Sequence, residues 1–146
     1  MKKSVLILIA VLALSFAGCG KGNAESAEPA EPELSARLAE AAGVEESSVY
    51  YLTCGKFSDS TGAEAFAFVG EVPDNIPGAE CYGSVWYIND EACIKVLEDR
   101  SFSVMENTIF SVMPTGEKTF VSVVETFATD SVSHLLYVED GLVKSS

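Results

Sequence analysis

The part of the chain after Ser48 consists of short segments of strand-forming residues separated by turn residues. Each segment is rich in β-branched and aromatic side chains and is bounded by Gly, Pro, Asn, Asp or Ser, which is typical of β-strands. Seven segments fit this description: residues 49–54, 63–70, 83–89, 92–97, 107–113, 118–127 and 133–138. So many short strands without an intervening helical pattern constrain this region to a largely antiparallel sheet.

Three connections between these segments carry hairpin signals. Asp140-Gly141 is the strongest, because Asp-Gly suits the left-handed conformations of a two-residue turn. The loop 113–118 contains Pro and Gly, and Asn89-Asp90 offers a third hairpin. Short loops between consecutive strands indicate a meander.

A single helix precedes the strands. Leu34 and Leu38 are one helical turn apart, Pro32 suits a first turn, and Gly43 suits the position just after the last turn. The pattern predicts a helix over residues 32–42, sealed at its end by the apolar residue that follows Gly43.

The segment 63–70 has two different apolar faces. One face carries a carboxylate and two large aromatics, and the other carries only small residues: Glu64, Phe66 and Phe68 against Ala65, Ala67 and Val69. A face of small residues allows a helix to approach a strand closely. We therefore predict an α+β fold in which the N-terminal helix packs on a largely antiparallel β-meander sheet of about six to eight strands.

The length and charge of the chain limit its functions. A chain of 146 residues suits one ordinary domain. Nine basic side chains face twenty-two acidic ones, a net charge of −13, and residues 34–146 alone carry −12. This balance argues against nucleic-acid binding, which needs clustered Lys and Arg, and against anionic partners in general.

The N-terminus has the organisation of an export signal. Two lysines at positions 2 and 3 precede the apolar run 5–14, which is too short to cross a bilayer. The residues that follow, Ser15-Phe16-Ala17-Gly18-Cys19, resemble the lipobox of bacterial lipoproteins, although Phe16 stands where the family usually has Leu. The resemblance implies a signal peptide over residues 1–18 and lipidation of Cys19. The alternative is an ordinary secretory signal followed by a chance cysteine.

Residues 19–33 are predicted to be a lipidated cysteine followed by a disordered, acidic stalk. The segment has four glutamates, two prolines and no apolar residue larger than Ala after Cys19, so it cannot bury enough surface to fold. Residues 34–146 then form one β-rich globular domain. The predicted location is the cell envelope, with the lipid on Cys19 holding the domain on the extracytoplasmic side of the membrane.

Three further cysteines, Cys54, Cys81 and Cys93, lie in the predicted domain. Outside the cytoplasm two of them are candidates for a disulfide, and spacing does not choose the pair; the alternative is three buried, reduced thiols. No spacing typical of a zinc site occurs. His134 is the single histidine and shares a strand face with apolar residues, which favours a partly buried, locally hydrogen-bonded side chain over a catalytic base.

The loop 57–64 contains Asp59 and Glu64 in an order that resembles the remnant of a bacterial calcium loop. Two acidic positions of such loops are missing, so a simple turn is the alternative. No catalytic fingerprint and no cofactor motif is present. The leading hypothesis is a non-enzymatic binding or interaction module for an envelope protein or small ligand. The alternatives are an extracytoplasmic enzyme or enzyme inhibitor acting through loops of the sheet, and a calcium-dependent adhesion module.

Overall fold

The computed structural model describes residues 31–73 and 78–146, which form a β-rich α+β fold with one antiparallel sheet. The predicted signal peptide, Cys19 and most of the predicted stalk lie outside these residues. The elements are α1 (Glu31–Ala42), a 3-10 helix (Glu46–Ser48), β1 (Val49–Gly55), β2 (Glu64–Glu71), β3 (Glu80–Ile88), β4 (Cys93–Ser103), β5 (Ser111–Pro114), β6 (Thr119–Thr126), β7 (Ser131–Glu139) and β8 (Leu142–Ser145).

Helix α1 ends as its sequence predicts. Gly43 has φ +70° and donates its N–H to the carbonyl of Glu40 at 3.2 Å, and Val44 donates to Ala39 at 3.0 Å. These two bonds form a Schellman motif. The helix begins at Glu31, so residues 31–33 are helical and do not belong to the predicted stalk. In the described part of the chain, no helix is long and apolar enough to cross a membrane.

The strands follow the order β1-β2-β3-β4-β6-β7-β8, with β5 also pairing with β6, and all neighbours are antiparallel. The predicted hairpins are confirmed. Asn89 donates to the carbonyl of Ala92 at 3.0 Å, and Thr115 donates to Lys118 at 2.7 Å. The φ angles of Asp140 (+53°) and Gly141 (+72°) are those of the left-handed turn that this dipeptide favours.

Several strands differ from the prediction. Strand β3 begins three residues earlier than predicted, β8 was not among the seven predicted segments, and β4 and β5 differ most. Strand β4 continues six residues beyond position 97, and its register against β3 shifts on either side of Leu97. The predicted strand 107–113 is reduced to β5. Glu106 has φ +54°, and Met105 and Thr108 bond to each other's backbone, so this turn occupies the residues that would have begun the strand.

Two glycines face each other where β2, β3 and β4 lie side by side. Gly70 pairs with Gly83, and Gly83 pairs with Arg100. A Cβ atom on Gly83 would lie 2.7 Å from the Gly70 Cα atom and 2.7 Å from the Phe68 ring. Facing glycines and shifts of register are devices that curve a sheet, so we infer a bend at this point.

The sheet has buried residues on both faces of β2 and β3. The larger cluster contains Phe66, Phe68 and residues of β6 and β7. The second cluster contains Leu34 and Leu38 of α1 together with the small residues of β2. The two faces predicted for residues 63–70 thus belong to different clusters. The larger cluster comprises Phe57, Phe66, Phe68, Cys81, Val85, Tyr87, Phe102, Ile109, Phe110, Val121, Val123, Leu136 and Val138.

Candidate functional site

A cleft of about 950 Å³ lies at one end of the sheet, where four connections meet. They are the β1–β2 loop, the β3–β4 turn, the β5–β6 loop and the β7–β8 turn. We call this feature the loop-end cleft. It is lined by Lys56, Phe57, Ser58, Asp59, Ser60, Thr61, Gly62, Tyr87, Asn89, Asp90, Glu91, Thr115, Gly116, Glu117, Lys118, Thr119, Val138, Glu139, Asp140 and Gly141.

Glu64 holds the β1–β2 loop in place through hydrogen bonds to its buried side chain. Its side chain is buried at 2% exposure, and its carboxylate accepts the N–H of Phe57 at 2.7 Å and the N–H of Ser58 at 2.9 Å. The Ser58 hydroxyl and the Tyr87 hydroxyl, the latter at 2.6 Å, donate to the same carboxylate. Four donors therefore compensate the burial of one charged group.

Tyr87 connects this network to the wall of the loop-end cleft. Burial, together with the hydrogen bond that Tyr87 donates to Glu64, raises the pKa of its phenol to about 12. The centroid of its ring lies 5.3 Å from the ring centroid of Phe66, a residue of the larger core cluster. The phenol is therefore a fixed donor at neutral pH, and it fixes the cleft wall to the core.

The rim of the loop-end cleft is acidic. Six carboxylates face two lysines: Asp59, Asp90, Glu91, Glu117, Glu139 and Asp140 against Lys56 and Lys118. Lys118 and Lys144 both donate to Glu139, and these hydrogen bonds lower the pKa of Glu139 to about 2. In the described residues the other five rim acids form no ion pair.

The β1–β2 loop and the β3–β4 turn are in close contact at one point of the rim. A Cβ atom on Gly62 would lie 2.6 Å from Cγ of Asp90. The Asp90 carbonyl accepts a hydrogen bond from Arg37 of α1 at 3.2 Å. Gly62 thus allows the loop to approach the turn, and α1 contacts the same corner of the cleft.

The two calcium candidates have different environments. Asp59 is exposed on the rim, whereas both oxygens of Glu64 already accept hydrogen bonds beneath the loop. The described residues contain no group of three or more His, Cys, Asp or Glu side chains placed to hold a metal ion. This arrangement gives Glu64 the role of a loop support.

The three cysteines of the domain lie in different parts of the sheet. Cys54 pairs with Ala65, which pairs with Ile88, which pairs with Cys93. Three strand spacings of about 4.8 Å therefore separate Cys54 from Cys93, farther apart than a disulfide allows. Cys81 is buried at 1% exposure in the larger core cluster, seven residues from Ile88 along β3.

Cys81 and His134 do not form a nucleophile–base pair. The Cys81 thiol donates to the Phe102 carbonyl at 3.6 Å, and burial raises its pKa to about 11, so it stays protonated at neutral pH. His134 is partly buried and bonded locally, as its strand face predicts: Nε2 lies 2.7 Å from the carboxylate of Glu125. Arg100 also donates to Glu125, at 2.9 and 3.1 Å.

Sequence reasoning missed Glu125 and Arg100, although the alternation of β6 contained a signal. Glu125 lies on the same strand face as Val121 and Val123, and a carboxylate on an apolar face indicates a buried, partnered charge. The same signal was present for Glu64, which shares its face with Phe66.

The fold and the cleft define a β-rich α+β protein with an acidic concavity at one end of its sheet. No family model, curated protein or solved structure matches the chain.

Proposed function

We propose that this chain is a non-enzymatic binding module, held by lipid on Cys19 at the extracytoplasmic side of a bacterial membrane, and that the loop-end cleft binds a cationic ligand. The observation that carries the proposal is the concavity itself, one wall of which, the β1–β2 loop, is fixed by the four hydrogen bonds to Glu64. Binding sites are concave and largely preformed.

The charge of the rim supports a cationic ligand. Five carboxylates without an ion pair among the described residues surround the cleft, and Lys118 is neutralised by Glu139 at 2.6 Å. A cleft lined by charges of one sign attracts ligands of the opposite sign, so these carboxylates favour cations over anions. A short basic peptide or a polyamine fits this chemistry.

The pKa values of two cleft side chains, Tyr87 and Glu139, do not suit proton-transfer catalysis. A general acid or base works best with a pKa near the working pH. The pKa of Tyr87 is raised to about 12 and that of Glu139 is lowered to about 2, so one stays protonated and the other stays ionised at neutral pH.

The proposal is tested by titrating the protein with a blocked trilysine peptide. Replacing Asp90, Glu91 and Glu117 by their amides is expected to weaken binding roughly tenfold, because each loses an attraction at the rim. The matched control replaces Glu40, Glu71 and Glu98, which are exposed and lie away from the cleft, and so removes the same net charge. Equal weakening by both triple variants, or no binding by the parent protein, contradicts the proposal.

We also propose that α1 packs on the sheet through Leu34 and Leu38. Both side chains are fully buried and belong to one cluster with Ala65, Ala67 and Trp86. The Sγ atom of Cys93, on β4, lies 4.0 Å from the carbonyl oxygen of Arg37, on α1, which supports the same contact.

Leu38→Ala is expected to lower the free energy of unfolding by about 2–4 kcal/mol, because it leaves a cavity between helix and sheet. Trp86, the single tryptophan, is 9% exposed in this cluster, so its emission reports the loss of packing directly. The control is Glu40→Ala on the exposed side of the same helix, with a change within about 0.5 kcal/mol. Equal effects of the two variants contradict the packing.

The anchoring is tested by intact mass spectrometry of membrane-extracted protein. The expected species begins at Cys19 and carries acyl chains, and Cys19→Ser is expected to accumulate as unprocessed precursor. An unmodified mature N-terminus, or equal release of both forms from the membrane, rules out the lipid anchor.

A further inference from the structure

The sheet has one weak junction, between β4 and β6. These strands share the single pair Phe102 and Glu125, whereas every other neighbouring pair of strands is joined over several residues. We call this junction the seam. It joins the half of the sheet formed by β1–β4 to the half formed by β5–β8.

A cluster of charged side chains crosses the seam at this pair. Glu125 is 4% exposed and accepts hydrogen bonds from Arg100 of β4 at 2.9 and 3.1 Å. It also accepts one from Nε2 of His134 on β7 at 2.7 Å, because an ionised carboxylate can only accept. One carboxylate therefore joins three strands.

We propose that Arg100, Glu125 and His134 form a proton-sensitive clasp, which keeps the seam closed while Glu125 is ionised and lets it open when Glu125 is protonated. Protonation removes the charge that both donors bind and adds a donor facing Arg100. The larger core cluster beneath the seam then becomes accessible.

The direction of the pH effect follows from the environment of Glu125. Burial alone would raise its pKa, but the hydrogen bonds from His134 and Arg100 outweigh burial and lower the pKa below 4.5. A depressed pKa contributes stability that is present above the ordinary carboxyl pKa and is lost as the pH falls through the folded value. The clasp is therefore closed at neutral pH and opens below about pH 4.5.

The thiol and phenol groups near the clasp do not reverse the direction of this pH effect. On β3, Cys81 has its pKa raised to about 11 by burial, and on β1 burial raises the pKa of Tyr51, so both stay neutral in acid. The flanking acids Asp99 and Asp130 are exposed. Among the acids at the seam, Glu125 is thus the buried one, and its protonation removes the negative charge that the donors bind.

Cys81 gives a direct readout of opening. It pairs with Phe102, the seam residue of β4, and is 1% exposed. A disulfide reagent that reacts in acid, such as dithiodipyridine, is expected to label Cys81 increasingly as the pH falls below about 4.5, with the site identified by peptide mass mapping. The emission of Trp86, in the second cluster, is expected to stay native over the same range.

Glu125→Gln is expected to raise the labelling rate of Cys81 at neutral pH at least about tenfold and to abolish its pH dependence. The control is Glu98→Gln, which removes an exposed partner of Lys95 on the same strand β4 and is expected to label like the parent. Arg100→Gln, at a half-exposed position, removes one donor to Glu125 and is expected to shift the labelling transition to higher pH. This second variant tests the proposal even if Glu125→Gln does not fold. Labelling of Cys81 that rises only together with the loss of native Trp86 emission overturns the proposal, as does unchanged behaviour of these two variants.

Discussion

Replacing Glu64 by alanine is expected to lower the free energy of unfolding by about 3–5 kcal/mol, measured by chemical denaturation. The substitution leaves the N–H groups of Phe57 and Ser58 and the hydroxyl of Tyr87 without their acceptor. Glu64 is 2% exposed, so water does not replace the lost bonds without disturbing the loop.

Two variants make this result specific to the hydrogen bonds. Glu64→Gln retains one acceptor oxygen, and the hydroxyls of Ser58 and Tyr87 can rotate to accept from its amide, so we expect a loss of about 1–2 kcal/mol. Glu117→Ala, at an exposed rim position, is expected to change stability by no more than about 0.5 kcal/mol. A Glu64→Ala protein as stable as Glu117→Ala would show that Glu64 does not support the loop.

Gly83→Ala is expected to lower the free energy of unfolding by about 3 kcal/mol, because the added Cβ atom has no space between two strands. It would lie 2.7 Å from the Gly70 Cα atom, closer than real Cβ contacts, and it would also meet the Val69 carbonyl. Both contacts are with backbone, so relief requires β2 and β3 to separate at the bend. Gly70→Ala is expected to have the same effect, since the two glycines face each other.

Gly116→Ala is the matched control for this substitution. A Cβ atom on Gly116 meets nothing within 4 Å, so the change is expected to lie within about 0.5 kcal/mol. If Gly83→Ala and Gly116→Ala unfold at the same denaturant concentration, the close approach of β2 and β3 at the bend is wrong.

Local patterns predicted much of the fold. The Schellman end at Gly43 and the Asp140-Gly141 turn depend on the conformations that a few neighbouring residues allow, and both are present. The two faces of β2 follow from strict alternation, and they fall into separate buried clusters.

The bend, the cleft and the clasp depend on contacts between distant segments, which no local pattern specifies. Gly70 and Gly83 matter because they pair across β2 and β3. Glu64 accepts a hydrogen bond from Tyr87 on another strand, and Glu125 accepts one from Arg100 across the seam. Alternation could indicate that both carboxylates are buried, but the identity of their partners required the register of the sheet.

Titration of the isotope-labelled protein with blocked trilysine, followed through its backbone amide chemical shifts by NMR, is the sharpest test that the ligand binds in the loop-end cleft. We expect saturable shifts concentrated in residues 56–62, 89–91, 115–119 and 139–141, the segments that line the cleft. Shifts spread evenly over the exposed acidic residues, or concentrated on another face of the sheet, would contradict it.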